Sequence, residues 1–119
     1  MRLLALTIAT AAIAGVAAAA GPAAISVTGQ YTSNYDAVTL IQLGDRVTGT
    51  YKCCGGGTIE GQIDGRTLRY RWKQPGSWGS GVWQVSPGRL DGTWGSNQSE
   101  TSGGRWDLLL VKPPARIAN

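Results

Sequence analysis

Apolar residues recur with a period of two along most of this chain, and one short unit is written four times. Val27-Thr28-Gly29-Gln30-Tyr31, Val47-Thr48-Gly49-Thr50-Tyr51, Ile59-Glu60-Gly61-Gln62-Ile63 and Leu90-Asp91-Gly92-Thr93-Trp94 share one order. Each runs aliphatic, polar, glycine, polar, large apolar. Positions one, three and five of such a unit lie on one face of a strand. A glycine inside a strand marks bending or the close approach of a neighbouring group. Four of them predict a strongly coiled antiparallel sheet, most simply a barrel.

Turn residues divide the chain into eight predicted strands: 26–32, 37–42, 46–52, 58–63, 66–73, 81–85, 89–94 and 104–111. Between strands four and five, Asp64-Gly65 reads as a type I′ hairpin turn. Strand five alternates Leu68, Tyr70 and Trp72 with Arg69, Arg71 and Lys73. Residues 74–80 read as a Pro/Gly loop carrying Trp78, and 95–103 as a longer polar loop. Short connections make neighbours antiparallel, so the expected fold is all-β: an eight-stranded up-and-down meander closing as a small barrel. A two-sheet sandwich is the alternative.

The first residues change the compartment. Arg2, an apolar run from Leu3 to Ala14 and the small residues up to Ala24 have the layout of a secretory signal peptide. The expected organisation is a signal peptide at 1–24, a barrel domain at 25–112 and a disordered tail at 113–119. No membrane span remains after cleavage, and the expected location is secreted or periplasmic. Removing 24 of 119 residues leaves 95, enough for one domain. The net charge of +4 falls to +3 without Arg2, too weak for a dedicated nucleic-acid binder.

The chain has no His, the commonest general base and metal ligand. With no base to activate a serine and no evident carboxylate pair, the expected class is non-enzymatic, with no cofactor and no metal. The unusual chemistry is Cys53-Cys54 followed by Gly55-Gly56-Gly57. In an oxidising compartment a cysteine pair is expected as a disulfide. Adjacent cysteines close into a tight ring that the glycines accommodate. Such a turn is either a structural lock or a sulfur platform at a barrel mouth. Tyr31, Tyr51, Tyr70, Trp72, Trp83, Trp94 and Trp106 read as core or as a stacking pocket.

The run Gly29-Gln30-Tyr31, the strand Val47 to Tyr51 and Trp106-Asp107-Leu108-Leu109 together resemble avidin and the wider calycin group of small barrels. The likeness spans residues 27–111. It implies a barrel with a ligand at one end, Tyr51 in a ligand-contacting position and Ser33 or Asn34 near another. The pattern departs at Cys53 and at Val82-Trp83-Gln84, so the resemblance carries the fold and not biotin binding. Gly29 to Asn34, Val47 to Tyr51 and Gly92 to Gly95 also resemble secreted bacterial domains of no assigned function.

The expected site is therefore the barrel end carrying Cys53, Cys54, Trp78, Tyr51 and Asn34. Its ligand would be a small hydrophobic or aromatic molecule or a carbohydrate. Arg66, Arg69, Arg71 and Lys73 form a basic stripe suited to an anionic partner or to solvent. Two other roles fit the same features: an inhibitor of a secreted protease or lysozyme, and a structural envelope protein.

Overall fold

The structure is a computed structural model that describes residues 25–114. The expected leader at 1–24, and residues 115–119 of the expected tail, lie outside the described residues. Nine strands follow one another: β1 (Gly29–Ser33), β2 (Val38–Leu43), β3 (Arg46–Tyr51), β4 (Gly57–Asp64), β5 (Thr67–Gln74), β6 (Ser77–Ser86), β7 (Arg89–Ser96), β8 (Gly104–Arg105) and β9 (Leu108–Lys112). A 3₁₀ turn at Cys53–Gly55 joins β3 to β4. Each strand from β1 to β7 pairs antiparallel with its successor, and β9 pairs with both β7 and β1. The β9–β1 ladder closes the sheet. β8 and β9 are two pieces of one last stave, so the barrel has eight staves, up and down. This is the fold expected from the period, and it excludes the sandwich.

The interior glycines explain how so many rings fit. Tyr51 lies directly opposite Gly57, Tyr70 opposite Gly81 and Trp72 opposite Gly79. A Cβ at any of these glycines would overlap the ring beside it. Each ring therefore lies down over its neighbour strand instead of standing into the barrel.

That arrangement corrects the reading of 74–80. The segment is strand: β6 begins at Ser77, and Pro75-Gly76 alone turns the chain, with Gly76 at φ 84°. Gly79 and Gly81 resemble loop composition, but they make room for Trp72 and Tyr70. Asp64-Gly65 is corrected too. Asp64 ends β4 opposite Thr67, and Gly65-Arg66 makes the turn, with positive φ at Gly65 and not at Arg66. A type I′ turn needs both. The last stave breaks at Trp106-Asp107. There the Trp106 N–H donates to the Gly92 carbonyl (2.9 Å), and the Asp107 carboxylate accepts the Gly92 N–H (3.0 Å). The first strand starts at Gly29, not Ser26. Val27 before it is pinned by its N–H to Gln42 Oε1 (2.9 Å), and its carbonyl accepts the Tyr31 hydroxyl (2.7 Å).

Connections alternate between the two barrel ends. One end carries the two-residue turns Gly44-Asp45, Gly65-Arg66 and Pro87-Gly88. The interior near it is aliphatic and shut: Leu40, Val47, Leu68 and Leu90 are essentially unexposed. The other end carries 34–37, 52–56, the two-residue turn Pro75-Gly76 and 97–103, and its interior is aromatic.

Candidate functional site

At the aromatic end a half-open cavity of about 90 Å³ is lined by Tyr35, Tyr51, Cys53, Cys54, Trp72, Gln74, Trp94 and Trp106. Its walls come from five parts of the chain. Tyr51 ends β3, Trp72 and Gln74 end β5, Trp94 lies near the end of β7, and Trp106 sits in the break of the last stave. The β1–β2 connection supplies Tyr35, and the β3–β4 connection supplies the cysteines.

Cys53 and Cys54 form a vicinal disulfide, their Cα atoms 3.7 Å apart. Free cysteines do not occur among the described residues. The turn needs left-handed backbone at Cys54 (φ 66°) and again at Gly55 (φ 90°) and Gly56 (φ 89°). Two glycines supply it without a Cβ penalty. The Gly56 N–H closes the turn on the Cys53 carbonyl (2.9 Å), and the Lys52 N–H ties it to the Ala37 carbonyl (3.1 Å). Cys53 packs partly against the core, while Cys54 is exposed.

The indole N–H groups of the lining and the Tyr51 hydroxyl are bonded within the protein. Trp72 Nε1 donates to the Gly95 carbonyl (3.0 Å), Trp94 Nε1 to the Tyr35 hydroxyl (3.3 Å) and Trp106 Nε1 to Ser33 Oγ (3.1 Å). Tyr51 donates its hydroxyl to Gln74 Oε1 (2.7 Å). Burial raises the Tyr51 phenol above its ordinary range, which keeps that donor protonated. Ser33 Oγ serves three partners. It accepts from Trp106 and from the Tyr35 N–H (2.9 Å), and it donates to the Asp36 carbonyl (2.6 Å). One serine thus holds both the Tyr35 turn and the Trp106 ring. The surface left to a ligand is ring carbon, disulfide sulfur, the Tyr35 hydroxyl and the Gln74 amide.

Tyr51, Cys53 and Cys54 come together on this cavity. Trp78 and Asn34 do not. Because β6 starts early, Trp78 falls at an outward position of that strand, where Arg71 lies over its ring at 5.2 Å. Asn34 clamps β1 to the last stave: its Nδ2 donates to the Arg105 carbonyl, and its Oδ1 accepts the Asp107 N–H, both at 2.9 Å. Tyr35 and Gln74 line the cavity without a signal of that role in the sequence. Tyr35 sits in a short connection outside any strand period, and Gln74 looks like a loop residue ahead of Pro75.

The basic stripe is broken up. Arg69, Arg71 and Lys73 share the outer face of β5, while Arg66 lies in the preceding turn. Glu100 pairs with Arg69, and Glu60 stands opposite Arg71 in register while reaching Arg46 at 3.7 Å. A shallow groove of about 750 Å³ crosses this wall, lined by both signs of charge.

Among the described residues no group of three or more His, Cys, Asp or Glu side chains is placed to hold a metal ion. Comparisons with protein-family models, with curated proteins and with solved structures find no match to this chain.

Proposed function

We propose that this chain is an exported, non-catalytic binding module whose site is the cavity at the aromatic end. One observation carries the reading: rings from five separate parts of the chain and a vicinal disulfide converge on a space they do not fill. Well-packed interiors leave few voids of this size, and apolar cavities of comparable scale take up small molecules. The chain has no His, and none of its seven Asp and Glu lines the cavity. That composition favours binding over chemistry. Export rests on the apolar leader and accords with a disulfide, which persists outside the reducing cytoplasm. The calycin resemblance supports the same end of the barrel as the binding end.

The test is native mass spectrometry on protein recovered from its own export compartment without reductant. The expected result is a chain shortened by the leader, two daltons below its reduced mass, carrying extra mass that denaturation releases. An uncleaved, cytoplasmic chain would sink the export reading. A cleaved chain that carries nothing, and whose cavity tryptophans respond to no added small molecule, would sink the binding reading.

A further inference from the structure

We infer that the cavity takes a methylated ammonium group, the head of a choline-like or betaine-like ligand. The inference rests on the proposed binding role of this cavity and names the ligand class. Its first ground is the shape of the walls. The lining pairs Tyr35–Trp94, Tyr35–Trp106, Tyr51–Trp106 and Trp72–Trp94 stand at 89°, 90°, 83° and 78°, with centroids 5.3 to 6.1 Å apart. None of the four is stacked. A flat ligand is held best between parallel faces, whereas a box of mutually perpendicular rings suits a compact, rounded group. The stacked pair Tyr70–Trp83, at 3.9 Å and 20°, lies deeper and lines no part of the cavity.

The second ground is electrostatic. A ring face is the negative side of its quadrupole, so a cation among several faces is attracted without any counter-charge. The indole N–H groups, which would present positive edges, point into protein acceptors instead. Among the described residues no Lys or Arg lines the cavity. A sugar or an anion would need several donors, and the lining has given four of its own to the protein, leaving the Tyr35 hydroxyl and the Gln74 amide. The Gln74 Oε1 is taken by Tyr51, so its Nε2 is available to an oxygen elsewhere on the ligand.

The third ground is size. A space of about 90 Å³ is smaller than the roughly 150 Å³ cavity that holds benzene. The cavity is half-open, so it admits a head group of about that bulk and leaves the rest of the ligand at the mouth. The disulfide adds a polarizable, uncharged floor that repels no cation.

The experiment titrates four probes separately into the oxidised chain while following the indole N–H signals of Trp94 and Trp106 by NMR. The probes are choline chloride, its neutral isostere 3,3-dimethylbutan-1-ol, phenol and methyl glucoside. Choline is expected to shift both signals and to saturate about tenfold more tightly than the neutral alcohol. Trp94→Leu and Tyr35→Leu should each abolish the response, and Trp78→Leu on the outer wall should leave it intact. Equal affinity for choline and the alcohol overturns the ammonium inference but leaves the binding cavity standing. Binding of phenol or the glucoside without choline has the same consequence. No shift with any of the four overturns both.

Discussion

The two ends of this barrel are built from different materials. At the shut end, two-residue turns close over Leu40, Val47, Leu68 and Leu90, which are at most 1% exposed. At the open end, three longer connections and the Pro75-Gly76 turn surround Tyr35, Cys53 and Trp94, which are partly buried, and a cavity remains. Aliphatic side chains are deformable in number and shape and fill a narrowing barrel completely. Indole and phenol rings pinned by hydrogen bonds cannot collapse to fill a gap. On the proposed binding role, the contrast puts stability at one end and recognition at the other, since a site that must stay open contributes little burial of its own.

The largest expected effect comes from removing the ring that divides the two regions. Trp83 is fully buried, stacks on Tyr70 and donates its Nε1 to the Trp106 carbonyl (2.8 Å). Trp83→Ala should cost about 3–5 kcal/mol, read as a lower urea midpoint with an unchanged slope. Trp94→Ala, at the open end, should cost clearly less while removing a cavity wall. Equal losses would erase the distinction between the ends.

The next effect is alkaline. Burial pushes the Tyr31 phenol up to about 12 and raises the Tyr70 phenol as well, with the Glu100 charge adding to the latter. A raised acid favours the folded state while it is neutral. Its contribution is therefore complete below the ordinary tyrosine value near 10 and is lost as pH climbs from there toward 12. Thermal melts between pH 8 and 12 should stay level up to about 10 and then fall. Tyr31→Phe should flatten part of that fall, at the expense of the bond to the Val27 carbonyl. A melting temperature that is flat through pH 12 would count against this burial.

Much of this contrast was legible in the sequence, and the illegible part has a physical cause. Period-two runs such as Leu68, Tyr70 and Trp72 specify strand and inward face together, because the pleat permits only two sides. Cys53-Cys54-Gly55 announces a tight turn through composition alone. Gly79 and Gly81 were misleading because a glycine in a turn and a glycine beneath a ring are the same letter. Telling them apart requires knowing that Trp72 and Tyr70 lie across the ladder. That misreading moved Trp78 from the outer wall to a loop and hid Gln74. Tyr35 was beyond reach for a different reason. Its place depends on Trp94 and Trp106, rings brought against it by barrel closure and not by local pattern.

Reduction of the disulfide should produce a smaller and local effect. The loop closed by adjacent residues is the shortest possible, and chain-entropy arguments give it only about 1 kcal/mol against roughly 3 for a 15-residue loop. With a phosphine reductant the melting temperature should drop by a few degrees at most. Hydrogen exchange should quicken at residues 52–56 and stay unchanged in β5 and β6. Ligand affinity should fall more than stability does, because the sulfurs floor the cavity. Global unfolding on reduction would place the cysteine turn in the stability half of the molecule.

The smallest effect tests the outer wall, which belongs to neither end. Trp78 and Arg71 meet there face to cation at 5.2 Å, an exposed arrangement in which the ring's attraction competes with hydration of the guanidinium. Trp78→Ala should cost about 0.5–1 kcal/mol and leave the Trp94 and Trp106 signals where they are. The measurement is a pair of urea titrations, with Arg71→Ala and the double variant completing the cycle. A coupling near zero would make the contact incidental to the fold. A shift of the cavity signals in Trp78→Ala would be the more consequential result, because it would connect the outer face of β6 to the aromatic end through Gly79, whose inward side lies against the Trp72 ring.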